Sequence, residues 1–227
     1  MISIVLPVHN QANHVSAVIG SYQNELKNIS ESYELILVVN GSTDDTAKIC
    51  GDLSSNDSRI RVAELTASGW GLAVKTGIDL ATGDLICYTN SARTTAKDLG
   101  EMLKYALINK TSVIKANRKI REGFKRRLGS VLYNLECRAL FDLPTWDVNG
   151  TPKVFPREYT PLLKLEQTDD LIDLEFISIC RRNNYPFLEI PIISTRRHGG
   201  SSTTNYNSAF KMYWGAIKLW WKSRSKR

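Results

Sequence analysis

The chain has 227 residues, of which 42% are hydrophobic and 23% are charged. This composition excludes a disordered protein. The length allows one large domain, or one domain with a small appendage. The net charge of +7 favours an anionic partner such as a nucleotide, a lipid phosphate or a membrane surface. No nucleic-acid motif accompanies the charge, so we expect no nucleic acid among the partners.

The cysteines and the apolar runs predict a cytoplasmic protein. The four cysteines are widely spaced and form no CxxC pair, which disfavours a zinc site and indicates buried thiols in a reducing compartment. No run reaches the roughly 20 apolar residues of a membrane-spanning helix. The apolar start at residues 2–8 is too short for a secretory signal.

Strands and helices alternate through the first half of the sequence. Strands are predicted at residues 2–8, 34–39, 59–65 and 85–88. Helices are predicted after a polar turn at 9–13, after the capping-rich turn at 40–46, at 72–81 and at 97–109. This βαβα pattern predicts an α/β fold, with an open, mostly parallel sheet and helices on both faces.

The regularity weakens after residue 111. Strands are predicted at 113–116, 154–155 and 187–192, and the last is an edge strand because Pro191 has no N–H to donate. Helices are predicted at 128–140, 171–180 and 209–221, separated by a basic stretch at 117–127 and by loops at 146–153 and 196–202. We interpret residues 1–205 as one domain and 206–227 as an aromatic and basic C-terminal helix with a tail.

Small polar residues follow the predicted strands, where ligands collect in open α/β sheets. The Asn-Gly-Ser turn beginning at Asn40 suits a base, a ribose or a phosphate, although an ordinary capped turn explains it better on its own. The Gly-Trp-Gly loop at 69–71 has the same ambiguity, since a lone glycine loop is weak support for a site.

The order of these segments is more specific than any one of them. The segments are Ile-Val-Leu-Pro-Val-His-Asn at 4–10, Val-Val-Asn-Gly-Ser-Thr-Asp-Asp-Thr at 38–46, Gly-Trp-Gly-Leu-Ala-Val-Lys-Thr-Gly at 69–77, and Ala-Thr-Gly-Asp with its strand at 81–88. Together they resemble the family-2 glycosyltransferases, most of all the branch that makes dolichyl- or polyprenyl-phosphate sugars. Similar segments at 147–153, 173–176, 189–192 and 197–201 extend the likeness over roughly residues 1–205.

The resemblance implies a Rossmann-like GT-A fold and inverting transfer of a sugar from a nucleoside diphosphate. UDP- or GDP-linked sugars are the implied donors, and a lipid phosphate or a saccharide is the implied acceptor. The nucleotide-binding residues on this basis are Pro7, His9, Asn10, Asn40, Gly41, Ser42, Lys75, Asn90 and Ser91.

Two positions depart from the family pattern. Asn40 stands where the family usually has Asp, and an amide can still hydrogen-bond a base edge. The Asp-Ala-Asp metal motif corresponds to Asn90, Ser91 and Ala92. Mg²⁺ and Mn²⁺ favour carboxylate oxygens, so we assign no metal ligand and leave a divalent cation open as an alternative.

Without a metal, the charge that develops on the leaving diphosphate needs another partner. Cationic side chains are one answer, since a guanidinium suits bidentate phosphate binding, and Arg93 lies next to the altered motif. Cations that are candidates for the phosphate or the acceptor are Arg118, Arg121, Lys153, Arg197 and His198. The other answer is a non-catalytic relative that binds nucleotides or regulates another protein.

Asp147, Glu175 and Arg93 are the catalytic candidates. A hydroxyl acceptor needs a general base, whereas a lipid phosphate is already ionised. The alternative for Asp147 is a turn cap beside Asn149 and Gly150. The alternative for Glu175 is a solvated residue on a helix face, or a partner of Arg181 or Arg182.

Aromatic and basic residues end the sequence. Trp214, Trp220 and Trp221 precede a basic tail at 222–227, which fits a helix lying on an anionic membrane. A helix that packs its tryptophans on the domain is the alternative. We expect a cytoplasmic protein that rests peripherally on the inner face of the membrane.

Overall fold

The structure, a computed structural model, describes residues 1–118, 124–192 and 206–225. Strands and helices alternate along these residues. In chain order they are β1 (Ile2–Val8), α1 (Val15–Leu26), β2 (Tyr33–Asn40), α2 (Thr46–Asn56), β3 (Ile60–Leu65), α3 (Trp70–Leu80), β4 (Leu85–Tyr88), α4 (Ala96–Ile108), β5 (Val113–Arg118), α5 (Phe124–Phe141), β6 (Lys153–Pro156), α6 (Ile172–Arg182), β7 (Phe187–Ile192) and α7 (Tyr206–Ser225).

The strands form one seven-stranded sheet in the order β3-β2-β1-β4-β6-β5-β7. Neighbours are parallel except β6, which is antiparallel to both β4 and β5. The predicted mostly parallel sheet and the edge position of β7 are confirmed. The carboxyl ends of six strands and the amino end of β6 therefore meet at one edge of the sheet, which we call the carboxyl edge.

Helices cover both faces of the sheet, as predicted. Alternate residues of β1 point to opposite layers, so that Ile4 packs with α1 and α4 whereas Val5 packs with α3 and α6. Every residue of β1 and β2 is buried, which explains why these strands read as continuous apolar runs. Each fully buried Val or Ile contributes about 1.5–3 kcal/mol to folding.

Two helices are longer than the sequence pattern predicts. Helix α5 starts at Phe124, inside the stretch read as a basic connection, because Lys and Arg are good helix formers and no proline interrupts them. Helix α7 likewise extends beyond the predicted 209–221 at both ends. All four cysteines are free and buried, as expected.

Helix α7 packs against α5 and the start of α6. The Tyr213 ring meets the Tyr133 ring edge-on with centroids 5.6 Å apart, and the Tyr213 hydroxyl donates to the carbonyl of Gly129 at 2.7 Å. Gly215 lies against Leu171 so closely that an added Cβ would be 2.4 Å from the Leu171 Cδ1 atom. Within the described chain, every helix is too short or too polar to cross a membrane.

Candidate active site at the carboxyl edge

The loops after β1 and β2 are joined by hydrogen bonds, one of which the Asp44 carboxylate accepts from the backbone N–H of Ala12 at 3.1 Å. The Nδ1 atom of His9 donates to the carbonyl of Asn40 at 2.7 Å, and the backbone N–H of Asn10 donates to the Ser42 hydroxyl at 3.1 Å. Asn10 Oδ1 accepts from the backbone N–H of Thr43 at 2.8 Å. Asn10 has a φ of 49°, a left-handed conformation that Asn tolerates better than most residues. Four predicted nucleotide-binding residues, His9, Asn10, Asn40 and Ser42, thus lie side by side.

Gly41 marks the place where a third loop crosses these two. Its φ is +60°, and an added Cβ would lie 2.7 Å from the backbone nitrogen of Ser68. Both the conformation and the close approach require glycine here. The β3–α3 loop therefore passes directly over the end of β2.

The Asn40 side chain hydrogen-bonds to the ends of β1 and of the β3–α3 loop, and so connects both to the end of β2. Its Nδ2 atom donates to the carbonyl of Val8 at 2.9 Å, and its Oδ1 atom accepts from the backbone N–H of Gly69 at 3.2 Å. The side chain is buried, and an aspartate could not donate to Val8. Asn40, at the position where the resemblance expects Asp, therefore stabilises the arrangement of the loops. Its predicted contact with a nucleotide stays a prediction.

The end of β4 closes into a tight turn. Asn90 Oδ1 accepts from the backbone N–H of Ala92 at 3.0 Å, and the backbone N–H of Arg93 donates to the Asn90 carbonyl at 3.0 Å. The buried Ser91 hydroxyl lies 3.1 Å from the carbonyl of Pro7 and 3.0 Å from Gln11 Oε1. Pro7, Asn90, Ser91 and Arg93 are therefore brought together as the sequence predicts.

The donor set of this turn does not fit a divalent cation. It offers one amide oxygen that already accepts a hydrogen bond, one hydroxyl directed at two other acceptors, and a methyl group. Mg²⁺ and Mn²⁺ select carboxylate oxygens in near-octahedral geometry. In the ranges that the structure describes, three or more His, Cys, Asp or Glu side chains are nowhere grouped to hold a metal ion. No catalytic step is derived through a metal.

A row of polar residues crosses four strands near the same edge. Tyr88 of β4 stands opposite Lys153 of β6, which stands opposite Lys115 of β5, which stands opposite Glu189 of β7. All four side chains point to the face that carries α3 and α6, because their neighbours Val154, Ala116 and Ile190 belong to the other layer. Both lysines are 0% exposed, so each needs a buried partner.

Asp173 of α6 is the partner of Lys153. Its carboxylate also accepts from the Tyr88 hydroxyl at 2.9 Å and from Trp70 Nε1 at 3.1 Å. Burial lowers the pKa of Lys153, and Asp173 opposes that shift. Sequence reasoning missed the role of Asp173, because the acid run before and within α6 does not reveal which carboxylate turns inward. Lys153 is buried by this contact, and its predicted binding of phosphate or acceptor stays a prediction.

Asp147 is bound by Arg118 in a bidentate pair. Arg118 Nε donates to Oδ2 at 2.8 Å, its Nη2 atom donates to Oδ1 at 2.7 Å, and its backbone N–H donates to Oδ2 at 3.0 Å. Burial alone would lower the pKa of Arg118, but Asp147 outweighs it and the pKa lies above its ordinary value. The predicted turn cap is thus a buried ion pair, and the predicted catalytic role of Asp147 stays untested.

Glu175 holds a loop rather than facing solvent. The side chain is buried and accepts from the backbone N–H groups of Glu166 and Gln167 at 2.9 and 2.8 Å. The alternative interpretation of a solvated residue is wrong, and Arg181 pairs with Asp142 instead. The catalytic role predicted for Glu175 stays a prediction.

Lys115 and Glu189 form the third buried pair, with Nζ and Oε1 2.9 Å apart. Burial lowers the pKa of Lys115 to about 8, although Asp147 and Glu189 oppose the shift. Glu189 Oε2 also accepts from Asn117 Nδ2 at 3.0 Å. Three cations and three carboxylates thus balance each other along this half of the edge.

The segment before α6 packs on the start of α3. The backbone N–H of Leu72 donates to the Thr168 carbonyl at 2.8 Å, and a Cβ on Gly71 would lie 2.5 Å from the Asp169 carbonyl. Asp170 therefore lies beside the carboxyl edge. The residue is exposed, yet desolvation of its carboxylate by surrounding atoms, together with Asp173 and Asp169, raises its pKa. Sequence reasoning did not select this residue.

The remaining predicted residues are less central or lie outside the described residues. Lys75 sits on α3 with Nζ 3.4 Å from the carbonyl of Glu166, so it borders the same segment. Its predicted contact with nucleotide stays a prediction. Arg121, Arg197 and His198 lie outside the described residues.

Sequence comparison places these features in a family. The family model described as "Glycosyl transferase family 2" matches residues 3–160, more than half of the chain. The chain is 21% identical over 211 residues to an undecaprenyl-phosphate 4-deoxy-4-formamido-L-arabinose transferase of Pectobacterium atrosepticum, covering 90% of this chain and 63% of that protein. It is 30% identical over 104 residues to the glycosyltransferase GlyG of Streptococcus pneumoniae, covering 45% and 34% respectively. The chain thus spans less than two thirds of the length of these curated relatives.

Structural comparison gives the same fold. Glucosyl-3-phosphoglycerate synthase of Mycobacterium tuberculosis, in a complex with Mn²⁺, uridine diphosphate and phosphoglyceric acid, superposes with a TM-score of 0.70 at 17% identity. The match covers 96% of this chain and 76% of that one. The predicted GT-A fold is confirmed, and the chain belongs to glycosyl transferase family 2.

Proposed function

We propose that this chain transfers a sugar, with inversion, from a UDP- or GDP-linked donor to an acceptor. The observation that carries the proposal is the joining of three loops at the carboxyl edge by His9, Asn40 and Gly41. Preformed loops of this kind, rich in backbone N–H groups and small polar side chains, suit a nucleotide. Family membership over residues 3–160 supports the same activity.

The leaving diphosphate is stabilised by cations rather than by a metal clamp. Arg93 follows the altered motif on the turn after β4, and a guanidinium can bind two phosphate oxygens at once. Arg118 and Lys153 are already neutralised by Asp147 and Asp173. We assign the diphosphate to Arg93 first because of its place directly after the altered motif, supported by the basic side chains of Lys75, Arg121, Arg197 and His198.

A lipid phosphate is the acceptor that best fits the described carboxylates. Asp147 and Glu175 each accept several hydrogen bonds and are poorly placed to take a proton, and an ionised phosphate needs no base. The relative from Pectobacterium atrosepticum is named for an undecaprenyl-phosphate acceptor. For a saccharide acceptor, Asp170 is the better base, since its raised pKa lies nearer to neutrality. A lipid acceptor also fits the expected location of the chain, which is the cytoplasm at the inner face of the membrane.

A nucleotide-sugar panel tests the proposal by thermal shift, with Mn²⁺ and with EDTA. A ligand at a hundred times its Kd stabilises a protein by about 2.7 kcal/mol, which corresponds to about 5–10 °C in Tm for a chain of this size. We expect one UDP- or GDP-sugar to give this shift equally in both buffers. No shift with any nucleotide sugar would refute donor binding, and a shift seen only with Mn²⁺ would refute the metal-free site.

Transfer itself is measured with the stabilising donor and a short polyprenyl phosphate. We expect Arg93→Gln to lower the turnover at least tenfold, a loss of about 1.4 kcal/mol in transition-state stabilisation. Lys97→Gln, an exposed cation at the start of α4, is the matched control and should leave turnover unchanged. Equal turnover in the two variants would remove Arg93 from the mechanism.

The rival function is nucleotide binding without catalysis. Two observations favour it: the turn after β4 has no carboxylate, and Arg118 and Lys153 are each neutralised by a carboxylate. Donor binding by the wild-type chain, combined with neither transfer nor hydrolysis of the bound sugar, would establish this rival.

A further inference from the structure

The net charge of the chain resides in two helices that pack together. Helix α5 contains four Lys or Arg residues and one Glu, and helix α7 contains four Lys or Arg residues and no acid. These two helices therefore account for the whole net charge of +7, and the rest of the chain is balanced. The Tyr133–Tyr213 ring contact and the Tyr213–Gly129 hydrogen bond join them.

Exposed apolar side chains concentrate on the same two helices. Of the ten large hydrophobic residues that are exposed in the described chain, five belong to α5 or α7. They are Val131, Leu132, Leu135, Trp214 and Trp221. Positive charge and exposed apolar area together mark an interaction surface rather than a merely solvated one.

The exposed face of α7 alternates tryptophan with lysine. Lys211, Trp214, Lys218 and Trp221 follow at spacings of three and four, so they share one side of the helix. Trp214 is 53% exposed and Trp221 is 66% exposed. Meanwhile Ala216 is buried against the domain, so this side of α7 faces away from the core.

The exposed face of α5 is apolar. Val131, Leu132, Leu135 and Ala139 are exposed, while Tyr133 and Cys137 are buried on the opposite side. Trp146 continues this area, because its ring covers the Arg138 guanidinium at 3.9 Å while the residue remains 59% exposed.

We propose that this surface docks on the headgroup layer of an anionic lipid bilayer. The α5–α7 surface is defined by Val131, Leu132, Leu135, Ala139, Trp146, Lys211, Trp214, Lys218 and Trp221. Indole rings favour the boundary between headgroups and acyl chains, and lysines beside them attract anionic lipid. A second copy of the chain fits less well, because a two-fold contact through this surface would bring like charges together. The inference does not depend on sugar transfer.

Vesicle binding by the full chain tests the proposal. The probe is a sucrose-loaded vesicle of phosphatidylcholine, with or without a third of phosphatidylglycerol, and binding is read by co-sedimentation and by the tryptophan emission maximum. We expect binding only to the anionic vesicle, a blue shift of the emission, and release at high salt.

Matched double variants identify the surface. Trp214→Ser with Trp221→Ser should weaken binding to the anionic vesicle on the order of tenfold or more. Tyr105→Ser with Ile108→Ser removes two exposed apolar residues of α4 and should leave binding unchanged. Likewise Lys218→Glu should weaken binding on the order of tenfold, whereas Lys97→Glu should have little effect. Thermal unfolding of all four variants checks that each one folds.

Three outcomes would overturn the inference. They are no vesicle binding by the wild-type chain at low salt, equal loss of binding in the α4 and α7 variants, and a dimer in solution that the α7 variants dissociate. The last outcome would assign the α5–α7 surface to a second copy of the chain.

Discussion

The two halves of the carboxyl edge are built with different chemistry. At the ends of β1, β2 and β3, the loops are joined mainly by amides, hydroxyls, an imidazole and backbone groups, as by Asn40 between Val8 and Gly69. The Asp44 carboxylate adds one bond, from the backbone N–H of Ala12. On β6, β5 and β7, buried ion pairs link the elements instead, as Lys153 does with Asp173. The first half therefore relies on single hydrogen bonds, and the second half on three cations paired with three carboxylates.

The difference sets how each half responds to change. A neutral hydrogen bond contributes about 0.5–1.5 kcal/mol, and its loss is tolerated where the partner regains water. Removing one member of a buried ion pair leaves the other charge desolvated, at a cost of about 3–5 kcal/mol. The second half should therefore be the more sensitive of the two.

The largest effect is expected from Asp173→Asn. Lys153, which is 0% exposed, would lose its carboxylate, and the free energy of unfolding should fall by about 3–5 kcal/mol. Urea unfolding measures the change. The matched control is Asp57→Asn, because Asp57 pairs with Arg59 at the surface, where such a pair contributes about 0–1 kcal/mol.

A rescue separates charge from packing in this prediction. Lys153→Met combined with Asp173→Asn removes the stranded ammonium and should recover most of the lost stability. Failure of the double variant to recover would mean that the hydrogen bonds from Tyr88 and Trp70 to Asp173 matter more than its charge.

A smaller effect is expected from Asn40→Asp in the first half. The carboxylate cannot donate to the Val8 carbonyl, so the free energy of unfolding should fall by about 1–3 kcal/mol. Asn56→Asp is the control, since the Asn56 amide donates to the Asp52 carbonyl in an exposed setting where water can replace the bond. If both variants lose the same stability, Asn40 does not hold the loops together.

Per pH unit, the smallest effect is expected from titration of Lys115. Its pKa in the folded chain is about 8, below the ordinary value of 10.5, so the unfolded chain binds more protons between these limits. The contribution of Lys115 to stability should therefore rise with pH in this window, by at most about 1.4 kcal/mol per pH unit. Glu189 stays ionised there, because Lys115 and its hydrogen bonds outweigh burial and lower its pKa.

Urea unfolding of wild type and Lys115→Met between pH 7.5 and 10 measures this slope. We expect wild type to gain stability relative to the variant as the pH rises, while Lys97→Met follows wild type. Parallel curves for wild type and Lys115→Met would show that Lys115 has an ordinary pKa in the folded chain.

Sequence alone predicts most of the first half. Strands β1 and β2 are buried on both faces, so their apolar runs identify them, and the polar residues after them fall at the carboxyl edge as expected. His9, Asn10 and Ser42 lie together because parallel strands align their ends, and Ser91 contacts the end of β1 at Pro7, while their binding roles stay predictions. In this half, the alternation of apolar runs and polar turns in the sequence predicts both the strands and the place of the polar residues.

The second half resists prediction because its key contacts join residues that are far apart in the sequence. Asp147 and Glu175 read as candidate bases, yet Asp147 binds a guanidinium and Glu175 binds backbone N–H groups. Asp173 was missed although it lies two positions before Glu175. Which acid turns inward depends on the antiparallel placement of β6, and nothing in the local sequence specifies that pairing.

The polar row across β4, β6, β5 and β7 also limits how the chain can pair. Strand β6 has only four residues and runs against both of its neighbours. A slip by one residue would turn Lys153 into the apolar layer that contains Val154, Ile114 and Ala116. A slip by one residue would separate Lys153 from Asp173, so the buried ion pair disfavours that misalignment of a strand that has only four residues.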